Sequence, residues 1–106
     1  MDALCRELDR DPGGAKLGVY VTEIGWSAFA GRWGVSESRK AGFLSRTFKG
    51  LSLIPKVKGV WWYDFMNDGA DPREYEHHFG LVDQNAQPLP AYWALRDCCS
   101  GGAEKP

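Results

Sequence analysis

The sequence predicts an α/β fold in the order helix, strand, helix, strand, helix, with its two strands parallel. Two observations carry this. The runs Leu17–Ile24 and Val57–Phe65 are rich in β-branched and aromatic residues, and an amphipathic helical segment of about fifteen residues separates them. A crossover of that length returns the chain in the same direction, which is right-handed βαβ geometry.

Each element has a local cause. Asp2–Arg10 places Leu4, Cys5 and Leu8 on one helical stripe, and Asp11-Pro12-Gly13-Gly14 ends it. The strand Leu17–Ile24 is apolar on both alternating faces, as expected where a parallel sheet is covered on two sides. Gly25–Gly34, with Trp26, Phe29 and Trp33, reads as a loop. Ser36 is the expected N-cap of the second helix, and Glu37 suits the positive end of its dipole. That helix turns Ala41, Leu44, Phe48 and Leu51 to one side, with Arg39, Lys40, Arg46 and Lys49 mostly elsewhere, until Ile54-Pro55 stops it. After the second strand, Met66–Glu76 is a long polar loop. Phe79–Val82 is a short extended piece entering a turn at Asp83-Gln84-Asn85. Pro90 opens the last helix, Ala91 to Cys98 continue it, and 100–106 reads as a flexible tail.

Composition removes several function classes. The chain has 106 residues, 14 acidic against 13 basic, and a net charge of −1, so it lacks the electrostatic footprint of a nucleic-acid or membrane-surface binder. Its N-terminal residues carry acids and no long apolar core, unlike a signal peptide. Three cysteines, one alone at Cys5 and two adjacent at Cys98–Cys99, form neither a disulfide scaffold nor a zinc pattern. No metal or cofactor is called for. Five Trp, four Tyr and five Phe are more rings than a domain of this size readily buries, so some should serve a surface or a missing neighbour.

Glu23 is the leading catalytic candidate. It lies near the carboxyl end of an apolar strand, before a glycine and an aromatic loop, where parallel α/β folds build their sites. It equally suits a strand-end carboxylate that pairs with an arginine. The second strand brings Trp61, Trp62, Tyr63 and Asp64 to the same end. Aromatic faces stack on sugar rings while carboxylates and amides bind hydroxyls, so a carboxylate among Trp side chains suits a carbohydrate. Alternation allows Trp62 with Asp64, or Trp61 with Tyr63, to face the site, and the first pairing is favoured. Trp26 and Trp33 either line the same cleft or cover the adjacent helix. Asn67, Asp68 and Glu76 either contact sugar hydroxyls or form a polar surface loop. His77-His78 reads as a solvated pair.

Three segments, VYVTEIGWS (19–27), VWWYDFMNDG (60–69) and FGLVDQNAQPLPAYWAL (79–95), resemble the last quarter of a retaining glycoside hydrolase. The resemblance is to the large clan of (β/α)8-barrel glycosidases that includes families 5 and 39, and it spans about residues 15–97. It implies that 1–99 is the C-terminal quarter of a TIM barrel, holding its last two βα units. It makes Glu23 the nucleophile and Trp62 the aromatic platform, with oligo- or polysaccharide as partner. A secreted parent enzyme is expected on the same ground. In that clan the acid/base is a Glu in an Asn-Glu pair, which this sequence lacks, as it lacks the first six strands. Retaining hydrolysis needs two carboxyl groups about 5–5.5 Å apart. Of Asp64, Asp68, Glu74 and Glu76, none holds the clan's acid/base position. The chain alone is therefore not expected to turn over. The alternative is a non-catalytic carbohydrate-binding or assembly module derived from such a barrel, completed as a homo-oligomer or by the missing N-terminal barrel portion.

Overall fold

The structure, a computed structural model, describes residues 1–101. The five elements follow in the expected order: α1 (Asp2–Arg10), β1 (Val19–Ile24), α2 (Glu37–Ser52), β2 (Val57–Trp62) and α3 (Pro90–Gly101). The strands pair in parallel, Val19 with Val57, Val21 with Val60 and Ile24 with Trp62. Ser36 caps α2 by accepting from the Arg39 amide at 3.1 Å. α3 runs past Cys98 to Gly101, so Ser100 and Gly101 are helical and not part of a tail. The rest of the expected tail, 102–106, lies outside the described residues.

Helices α2 and α3 cover one face of the sheet. Leu44, Leu81 and Ala91 are buried at the centre, and Ala41, Phe48, Trp62, Tyr92, Ala94, Leu95 and Cys98 pack around them. The other face is bare: Tyr20 is 59% and Trp61 53% exposed, their rings 6.3 Å apart. The expectation of a strand covered on both sides is thus met on one side only, because every helix packed on the sheet lies on the same side. The molecule is correspondingly flat, 49 × 36 × 18 Å, with a radius of gyration of 15.9 Å. A compact chain of this length would have about 13 Å.

The polar face of α2 departs from expectation. Lys40 is fully buried, donating to the carbonyls of Gly80 at 2.9 Å and His78 at 3.3 Å and pairing with Glu37 at 2.9 Å. Burial of an ammonium is tolerable because carbonyls and a carboxylate replace its water. A second lysine braces the opposite end: Lys56 pairs with Asp9 and donates to the carbonyls of Gly14, Ala15 and Leu17, tying α1 to the sheet.

Leu44 is the tightest part of the core. Leu44→Ala should cost about 2–5 kcal/mol through lost burial and a residual cavity, read as a lowered midpoint in urea unfolding; a loss under about 1 kcal/mol would show that the core sits elsewhere.

Candidate active site

Glu23 stands exposed at the carboxyl end of β1. Beside it, Tyr63 follows the last residue of β2, its amide donating to the Ile24 carbonyl at 2.8 Å. Gly25 makes this approach possible, since a Cβ there would collide with the Tyr63 carbonyl oxygen. Glu23, Ile24, Gly25, Tyr63, Glu76 and Phe79 line an open depression of about 480 Å³. The Tyr63 ring meets Phe79 edge-on at 5.2 Å, and Phe79 meets Tyr75 the same way.

The electrostatics of this end are negative. The Tyr63 phenol is pushed above its ordinary range by desolvation, then by the carboxylates of Asp64, Glu76, Asp68 and Glu23. It therefore stays a neutral donor at the wall of the depression. Asp64 is also pushed up, first by burial and then by Asp68, although Lys40 opposes this. Among the described residues, its Oδ1 is buried without a hydrogen-bond partner.

The structure separates residues that the sequence grouped. Trp62 does not pair with Asp64 at the site. Its ring lies on the helix side against the Leu44 cluster and 5.9 Å from Trp26, with Nε1 donating to the Phe79 carbonyl at 3.3 Å. The reason is that β2 ends at Trp62; Asp64 turns its amide away to Phe79, so strand alternation does not extend to it. Trp26 likewise covers the helix, 5.2 Å from Phe43, and does not line the depression. Trp33 is 77% exposed and lines a separate cleft with Phe29, Arg32 and Tyr75. Asn67 is buried and structural: its Oδ1 accepts from the Gly80 amide at 2.8 Å. Asp68 is exposed and does not line the depression. His77 and His78 are half-buried, not solvated. His77 Nδ1 accepts from the Asp71 amide and His78 Nε2 meets the Asp71 carbonyl, which folds the 71–78 loop on itself. In the same loop, Arg73 holds the Asp71 carboxyl below its ordinary range through side-chain hydrogen bonds of 3.0 and 3.1 Å.

Tyr63 and Phe79 are the site residues that sequence reasoning did not select. The other branch of the alternation, which puts Tyr63 at the site, was the available signal. Among the described residues no group of three or more His, Cys, Asp or Glu converges to hold a metal ion.

The chain is similar to segments of known glycosidases. A family 39 glycoside hydrolase from Bacteroides cellulosilyticus superposes with a TM-score of 0.78 and 33% identity, over 92% of this chain and 20% of that one. The chain resembles a segment of a glycoside hydrolase. GH5_18 from Streptomyces cattleya, solved in complex with GlcNAc, aligns with a TM-score of 0.66 and 27% identity, over 84% of this chain and 21% of its own. In sequence, a glucan endo-1,3-beta-glucosidase of Nicotiana plumbaginifolia is 29% identical over 92 residues. The match covers 83% of this chain, which spans about a quarter, 25%, of that relative. No family model matches the sequence. The glycosidase-like segment is thus an α/β unit that spans most of this chain.

Asp64 offers a direct test of the site's electrostatics. Its carboxyl has a folded-state pKa above the unfolded one, so the folded chain holds the proton more tightly, and stability falls as pH rises through that window. Asp64→Asn should therefore raise the melting temperature at neutral pH, with the gain shrinking as pH falls from the raised folded-state pKa into the ordinary carboxylate range. A gain that persists unchanged in acid would refute desolvation of the carboxylate as its source.

Proposed function

We propose that the chain supplies the nucleophile half of a retaining β-glycosidase site, in a whole enzyme that hydrolyses a β-linked glycan. One observation carries this reading: the exposed Glu23 carboxylate and the Tyr63 ring come from adjacent parallel strand ends and face one open depression. In this reading a Glu23 oxygen attacks the anomeric carbon, and the bond from that carbon to the leaving-group oxygen breaks as the leaving-group oxygen takes a proton from a general acid. Water then cleaves the glycosyl ester, returning a free carboxylate and a sugar of unchanged anomeric configuration. Tyr63 replaces Trp62 as the aromatic wall. Its neutral hydroxyl is a donor for a sugar oxygen or for Glu23 itself. Glu76 lines the same depression, in reach of sugar hydroxyls, and Asp68 adds negative charge near Tyr63. The general acid would come from the remainder of a barrel, of which this unit is the last quarter.

The test is Glu23→Gln in the enzyme carrying the rest of the barrel. Turnover should fall by roughly a thousandfold or more with substrate affinity largely kept, since only a transition-state interaction is removed. Retained turnover would sink the nucleophile assignment.

A second reading, an assembly module completed by another copy, is favoured by the bare sheet face. Two half-exposed rings and unpaired strand edges are the features that association covers. In this reading the isolated chain sediments as a concentration-dependent dimer and Trp61→Lys as a monomer; a wild-type chain that stays monomeric at high concentration removes it.

A further inference from the structure

Beside the Glu23 depression is a second concavity that the proposed hydrolysis does not use. Phe29, Arg32, Trp33 and Tyr75 line a cleft of about 460 Å³. Its loop is braced into one shape. The Gly34 amide donates to the Gly31 carbonyl at 3.1 Å, the Val35 amide to the Ser27 carbonyl at 3.0 Å, and the Ser27 hydroxyl to the Tyr75 carbonyl at 2.7 Å. Gly34 packs so closely on the Phe29 carbonyl that a Cβ has no room. Trp33 sits at φ 75°, a left-handed conformation that an L-residue adopts at a cost, and the result is an indole presented to solvent. Burial does not explain that cost.

Charge identifies the occupant. The Arg32 guanidinium lies 4.8 Å from the Trp33 ring centroid and forms no ion pair among the described residues. Stacked on an indole, it keeps its planar fork of donors free for a carboxylate. The Glu23 end, in contrast, collects Glu23, Asp64, Asp68 and Glu76 around Tyr63, which repels an acid. The two places are joined by one aromatic wall. Tyr75 lines the cleft and meets Phe79 edge-on at 5.2 Å, and Phe79 lines the depression. A chain of sugars running along that wall meets negative charge at one end and a single positive fork at the other.

We propose that this cleft is a subsite for an acidic saccharide residue, a uronate, whose ring stacks on Trp33 and Phe29 and whose carboxylate accepts from Arg32. The proposal rests on the glycan-binding reading of the Glu23 end and names its substrate class: a glycan with a neutral residue at the cleavage point and a uronate farther along.

The experiment titrates the 106-residue chain, by tryptophan fluorescence, with a glucuronate-bearing oligosaccharide and with the same oligosaccharide after reduction of its carboxyl group. The acidic sugar should bind roughly tenfold more tightly, the scale of one charge-assisted contact. Arg32→Ala should abolish that preference while leaving the reduced sugar's affinity unchanged. Trp33→Gly, which suits the left-handed backbone and so keeps the loop, should weaken both sugars by roughly tenfold. Arg46→Ala, another exposed arginine beside an aromatic ring, should preserve the preference. Equal affinity for the two sugars, or a preference that survives Arg32→Ala, overturns the uronate subsite and leaves the glycan reading standing. Binding of neither sugar overturns both.

Discussion

The buried ammonium of Lys40 is the interaction on which the arrangement of the strand ends depends. It holds the His78–Gly80 backbone against the first turns of α2. That short segment in turn accepts from or donates to every loop at this end. The His78 carbonyl takes the Ala28 amide from the loop after β1, and the Phe79 carbonyl takes the Asp64 amide from the loop after β2. The Gly80 amide donates to Asn67 Oδ1, and the Leu81 amide reaches the Asp64 and Phe65 carbonyls. A charge buried at this point costs solvation, yet it satisfies carbonyls that no regular element could reach. Glu23 and Tyr63 are adjacent because β1 and β2 pair; Phe79 joins them because Lys40 anchors the segment to which it belongs, and Glu76 lies in the turn that leads into it.

The bare sheet face points to a partner layer. A two-stranded parallel sheet covered on one side is a poor free-standing structure, since parallel strands are ordinarily buried on both faces. Tyr20 and Trp61 on that face are unfavourable for this unit alone. Both become reasonable if further strands lie beside β1 and β2. The same geometry that weakens the isolated unit would shape the interior of a larger barrel.

What the sequence made legible was whatever is fixed locally. Ser36 as a cap, Pro90 at a helix start, the parallel crossover and the strand-end position of Glu23 all follow from near neighbours in the chain. What it did not reveal depends on distant partners. Lys40 reads as a polar-face lysine, because the carbonyls that receive it come from residues 38 and 40 positions away. Trp62 lies on the helix side and Tyr63 on the depression for a related reason. Alternation holds only inside a strand, and β2 stops at Trp62, where Tyr63 still bonds to Ile24 but Asp64 already bonds to Phe79. His77 and His78 read as solvated because their partner, the Asp71 backbone, leaves no side-chain signature.

The aromatic excess is the feature that structure resolves most usefully, because it divides into distinct roles. Trp26 and Trp62 sit against one another in the layer between sheet and helices, so their burial is ordinary packing. Trp61 and Tyr20 occupy the bare face, where only further polypeptide of matching shape gives them a reason. Tyr63, Phe79, Tyr75, Phe29 and Trp33 form a continuous run over the carboxyl ends of the strands, from the Glu23 depression to the Arg32 cleft. Rings in this last run are held in place by backbone bonds from neighbouring loops, and that rigidity is what an extended stacking surface needs, since ordering flexible side chains on binding would consume the affinity gained. A high count of aromatic residues therefore does not by itself indicate a sugar-binding surface. The indication comes from the subset that packing leaves outside and bracing keeps still.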